Sequence, residues 1–163
     1  MTQTPSASLV PEGFKPVTIG GAFAMRSGPF FARWTGQHML LGFRVQALHV
    51  NPANQCHGGM LSLFADLLLS TAALYQADMA RHFLPTISLQ TDFLASAPLG
   101  SWVEGKADIL RKTRSMVFTQ GLVHADATLI LRSSGVFKLG ALISDSADNQ
   151  SIHFDTTTPV QRD

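Results

Sequence analysis

From Gly58 to about Ala80, leucine, methionine, alanine and phenylalanine occupy nearly every position, and no proline interrupts them. The run is far too long for one strand and reads as a helix that is apolar on most sides. Such a helix must be wrapped by other structure. Its most apolar part, Met60 to Leu74, is short and broken by Ser62, Asp66 and Ser70. It therefore does not read as a bilayer span.

The wrapping material follows in sequence. After Pro85 come four runs rich in β-branched or aromatic residues: Thr86 to Leu94, Trp102 to Arg111, Ser115 to His124 and Thr128 to Lys138. Turn residues at Gly100, Lys112-Thr113 and Asp126-Ala127 separate them, the pattern of an antiparallel meander. Met39 to Val50 reads as a further strand, closed by the turn composition Asn51-Pro52-Ala53-Asn54. Gly28 to His38 reads as an additional helix or loop. The expected class is α+β, a curved antiparallel β-sheet around one long central helix.

A chain of 163 residues suits one domain. The domain is expected over 17–143, between a flexible N-terminal tail, 1–16, and a polar C-terminal tail, 144–163. Only 14% of the residues are charged, against about 25% in ordinary soluble proteins. A surface so short of charge points to burial between subunits, hence to an oligomer. The net charge of +1, with no basic run longer than Arg111-Lys112-Thr113-Arg114, argues against a nucleic-acid partner. The lone cysteine, Cys56, excludes an intrachain disulfide, and the histidine spacings suggest no metal site. With no secretion signal and no membrane span in view, a cytoplasmic protein is expected.

Asp66 is the most informative residue. It stands between Phe64-Ala65 and Leu67-Leu68-Leu69 in the apolar helix, where an unpaired carboxylate costs several kcal/mol. It is either a hydrogen-bonded structural acid or a general base or nucleophile tuned by burial. His57-Gly58-Gly59 opens the same helix, where backbone N–H groups lack intrahelical partners and the dipole favours negative charge. The glycines either permit a tight turn or admit a carbonyl oxygen to an oxyanion hole. Eight residues of helix separate Gly58 from Asp66 by about 12 Å along the axis. Both cannot reach one reacting carbon within a single chain. A two-fold dimer with antiparallel helices would bring Gly58 of one copy beside Asp66 of the other.

His49-Val50-Asn51, His57-Gly58-Gly59 and Asp66, nine residues after His57, resemble the signature of hotdog-fold thioesterases of the phenylacetate-pathway and 4-hydroxybenzoyl-CoA thioesterase-like branch. The resemblance runs from about Met39 to Lys138. It implies an acyl-CoA thioesterase with no cofactor beyond the coenzyme A of its substrate. Asp66 would activate water or attack the carbonyl, and Gly58 N–H would polarise the thioester oxygen. Asn51 would hold the carbonyl or its own loop, and His57 matches the motif histidine. Thr86 or Ser88 would position the water. Gly59 would help bind substrate, and Arg111, Lys112 and Arg114 are candidates for the CoA phosphates unless they are simply a solvated hairpin. A homodimer, and a dimer of such dimers, is the implied assembly. The acyl group is expected to be apolar, aromatic or medium-chain. Cys56 is not expected to act as a nucleophile. The alternatives are a hydratase or dehydratase acting on acyl thioesters, and a binding protein that keeps the fold without catalysis.

Overall fold

The computed structural model describes residues 10–77, 79 and 82–143. The expected C-terminal tail, 144–163, lies outside them, as does the greater part of the expected N-terminal one. In order, the elements are β1 (Lys15–Val17), α1 (Gly21–Met25), β2 (Phe30–Trp34), β3 (Met39–Arg44), a 3-10 turn (Ala47–His49), α2 (Gly58–Gln76), β4 (Thr86–Phe93), β5 (Trp102–Lys112), β6 (Met116–Ala125) and β7 (Thr128–Lys138).

The strands form one antiparallel sheet in the order β1-β2-β3-β5-β6-β7-β4. The meander β5-β6-β7 sits where its turns predict, and β4 returns to pair with β7, its other edge unpaired among the described residues. Helix α2 lies in the concave face, with Phe64, Ala65, Leu68, Leu69, Ala72 and Ala73 fully buried. The sheet makes room for it with glycine: a Cβ at Gly105 would collide with Leu68, and one at Gly135 would stand 3.0 Å from a Leu69 methyl.

Three expectations need correction. Gly28 to His38 contains a strand, β2, which pairs with both β1 and β3. The N-terminal tail ends sooner than Pro16: Lys15 and Pro16 pair with β2, and Phe14 is buried with its ring edge-on to Trp102 at 5.1 Å. The strand expected over Met39 to Val50 ends at Arg44, and the 3-10 turn Ala47–His49 follows it. Helix α2 is apolar on most sides, as expected, with one polar stripe. Gly59, Ser62, Leu63, Asp66 and Ser70 form a stripe along the side turned away from the sheet, none of them buried. At 19 residues, with a mean hydropathy of 1.4 over an 18-residue window, α2 is long and apolar enough to cross a bilayer by length and composition alone. Its burial against the sheet accounts for that composition.

Candidate functional site

The loop that delivers the chain to α2 is built by Asn51. Its Oδ1 accepts from Ala53 N–H at 2.9 Å and Gln55 N–H at 3.2 Å, while its backbone N–H donates to the Gln55 carbonyl at 2.9 Å. The side chain thus holds the loop, and its Nδ2 has no partner among the described residues. Cys56 follows, with its N–H donating to the Ala97 carbonyl at 2.8 Å. Burial pushes its thiol up to about 11, which keeps it in the unreactive protonated form.

His49 anchors the loop from below. It is buried at 2% exposure. Its Nδ1 accepts from Gln46 N–H at 3.0 Å, its Nε2 donates to the Ser27 carbonyl at 2.8 Å, and its own carbonyl accepts His57 N–H at 2.8 Å. Burial lowers its pKa, against the smaller raising effects of its hydrogen bond to the Ser27 carbonyl and of the Arg44 backbone. The ring is therefore a neutral structural tie.

At the helix start, His57 is the N-cap, and its Nδ1 accepts from Gly59 N–H at 2.9 Å. That bond removes Gly59 as a free donor. Gly58 N–H has no partner among the described residues. Neither glycine adopts positive φ, so the turn itself does not demand them. The ring of Phe93, at the end of β4, packs beside Gly58, with its Cε1 and Cζ 3.6 Å from where a Cβ would stand. Phe93 is 52% exposed. It was missed from the sequence, although Ile87, Leu89 and Phe93 alternate along β4.

Asp66 is half-buried in the open stripe of α2, not enclosed as its neighbours in sequence suggest. Its Oδ1 accepts from the Thr86 hydroxyl at 2.7 Å, and its Oδ2 has no partner among the described residues. Between Thr86 and Ser88, the structure thus selects Thr86 as the partner of Asp66. Here β4 is irregular, with a register shift between the two residues.

The basic residues of the β5–β6 hairpin divide. The Lys112 ammonium donates to the Ala77 carbonyl at the C-terminal end of α2, at 2.8 Å, a task the sequence did not suggest. Arg111 and Arg114 are exposed and have no partner among the described residues. A cavity of about 480 Å³ opens on the outer sheet face, lined by Glu104, Lys106, Asp108, His124 and Arg132 among others. Asp66, Thr86 and Gly58 are not part of it. Among the described residues, no three His, Cys, Asp or Glu side chains converge on a metal position.

Residues 53–130 match the family model described as the Thioesterase superfamily. The chain is 32% identical over 131 residues to a Pseudomonas aeruginosa protein named "Putative esterase PA0474", an alignment covering 80% of this chain and 97% of that one. Among solved structures, the Escherichia coli PaaI protein from the phenylacetic acid degradation operon superposes with a TM-score of 0.64 at 16% identity, over 76% of this chain and 89% of that one. A hypothetical thioesterase protein from Streptococcus pneumoniae, solved with coenzyme A, superposes with a TM-score of 0.61 at 13% identity, over 71% and 88%. The curved sheet around α2 is the hotdog fold of these neighbours, and the chain belongs to the thioesterase superfamily.

Proposed function

We propose that this protein is an acyl-CoA thioesterase, hydrolysing the thioester to a free acid and coenzyme A at a site shared between two copies of the chain. The observation that carries the reading is the Asp66 carboxylate, oriented by Thr86 through Oδ1 and open at Oδ2, on the same helix as the free Gly58 N–H. Oδ2 takes a proton from water as the water oxygen bonds the carbonyl carbon. The negative charge moves to the thioester oxygen, opposite the Gly58 N–H. Collapse breaks the C–S bond, and the sulfur leaves with the proton held by Asp66.

The second copy follows from distance. Asp66 and Gly58 of one chain are about 12 Å apart along the helix, whereas the reacting carbon must sit about 3 Å from both functions. Antiparallel packing of two α2 stripes supplies one group from each copy. The open edge of β4, with Ile87 55% and Phe93 52% exposed, offers a strand and apolar surface for the same contact. Leu63 in the stripe and Phe93 beside Gly58 suit an apolar acyl group. The coenzyme A held by the pneumococcal neighbour supports the choice of thiol, and Arg111 and Arg114 are free to meet its phosphates.

The test is thiol release from a panel of aliphatic and aromatic acyl-CoAs by the wild type and Asp66→Asn, with sizing of both. The variant should stay dimeric and lose about 10²-fold or more in kcat. Equal release by the two proteins would sink the assignment.

A further inference from the structure

The first turn of α2 can be accounted for donor by donor. A helix leaves its first N–H groups without intrahelical partners. Here Met60 N–H turns to the His57 carbonyl at 2.9 Å, and Leu61 N–H reaches the same carbonyl at 3.1 Å. Gly59 N–H is taken by His57 Nδ1 at 2.9 Å. Gly58 N–H alone is left over. A Cβ on Gly59 would stand 3.1 Å from His57 Nδ1 and 3.4 Å from Cε1. With no positive φ at either glycine, the second glycine of the motif serves the imidazole: it vacates the space into which the ring folds.

Nδ1 can accept this bond only in a neutral ring whose proton sits on Nε2. A second proton would place a hydrogen on Nδ1 facing Gly59 N–H and break the cap. The titratable neighbours are His49, whose carbonyl takes His57 N–H while its ring is tied to Ser27 and Gln46, and Cys56, whose Sγ lies 4.0 Å from the His57 carbonyl. On β4, Phe93 packs against Gly58, and Asp92 is paired with Arg132. Among the described residues no carboxylate bonds the His57 ring.

We propose that His57 is a positioning residue and not an acid or base: its neutral imidazole occupies Gly59 N–H and fixes the first turn, so that Gly58 N–H is the one donor presented to the thioester oxygen. This rests on the thioesterase reading above. Asparagine is the natural probe, because its side-chain oxygen can cap the same N–H.

The experiment compares wild type, His57→Ala, His57→Asn, Gly59→Ala and the His57→Ala/Gly59→Ala double variant in kcat, KM and Tm. His57→Ala should lose about tenfold in kcat, the equivalent of one N-cap, and His57→Asn should recover most of it. Gly59→Ala, although alanine favours helix, should reproduce the His57→Ala loss by displacing the ring. Added to His57→Ala, it should cost nothing more. An asparagine variant as impaired as alanine, or a Gly59→Ala loss that adds to that of His57→Ala, overturns the positioning role while acyl-CoA hydrolysis stands. A wild type that releases no thiol overturns the thioesterase reading and this role together.

Discussion

The two ends of α2 are finished in opposite ways. At the C-terminal end several bonds close the helix. Ala77 N–H bonds the Ala73 carbonyl, and the Lys112 ammonium bonds the Ala77 carbonyl. Gln76 links the end to two strands, accepting Met39 N–H and donating to the Ala107 carbonyl, each at 3.0 Å. At the N-terminal end the same economy stops one donor short. His57 satisfies Gly59, Met60 and Leu61 and leaves Gly58 N–H open. A first-position N–H of this kind is an ordinary orphan of a helix start, and a ligand oxygen is one of the acceptors that can satisfy it. In the thioesterase reading proposed above, the open donor at the start serves catalysis and the bonds at the end serve the scaffold.

The sharpest way to break this contrast is to delete the open donor without touching the helix. Proline is favoured at the first helical position, where its missing N–H is already an orphan. His57, at φ −63° and ψ 137°, has the extended backbone that a following proline requires. Gly58→Pro should therefore lower kcat by about 10² to 10³-fold, as removal of one oxyanion donor does, while Tm changes little. Gly58→Ala keeps the N–H and meets only ordinary contact with Phe93, so it should retain far more of the rate. Equal rates for proline and alanine variants, read by thiol release, would mean that the bare donor has no part in catalysis.

Much of this scaffold is legible in the sequence, for physical reasons. The apolar run without proline predicts α2, and alternating strand composition with turn residues predicts β5, β6 and β7 to within a residue or two at their ends. β1 and β2 escape because their identity is tertiary: three residues of β1 become a strand only by pairing with β2, which itself lies between two partners. At the site, the residue types in the His57-Gly58-Gly59 and Asp66 spacing are visible, but their tasks are not. Which glycine N–H stays free depends on the rotamer of His57. The choice of Thr86 over Ser88 depends on a local register shift in β4. Lys112 reads as a phosphate ligand until the end of α2 is seen to lie beneath it.

A smaller effect is expected at the closed end. Lys112→Met removes a cation and a donor from the carbonyl of Ala77, the C-cap of α2, a contribution of up to about 1 kcal/mol. That corresponds to a fall in Tm of about 2–4 °C for a chain of this size. Hydrogen exchange should place the damage in the final turn, with faster exchange of the Ala77 amide and unchanged protection around Met60 and Leu61. Loss of protection at both ends would show that the helix responds as one unit and that its ends are not separable in the way the hydrogen bonds suggest.

The smallest effect separates the ends by pH. His49 supports only the N-terminal end, through its carbonyl on His57 N–H and its ring on the Ser27 carbonyl, and burial lowers its folded-state pKa below the ordinary value of 6.5. A histidine depressed in this way is protonated more readily in the unfolded chain, so its neutral tie contributes fully above about pH 6.5. That contribution declines as pH falls from there toward the folded-state value. Denaturant midpoints measured from pH 7.5 down to pH 5 should therefore drop more in the wild type than in His49→Gln, whose side chain cannot take up the proton. Exchange of the Met60 and Leu61 amides should quicken over the same interval in the wild type, while the Ala77 end holds. Parallel pH curves for wild type and variant would remove His49 as the source of the asymmetry.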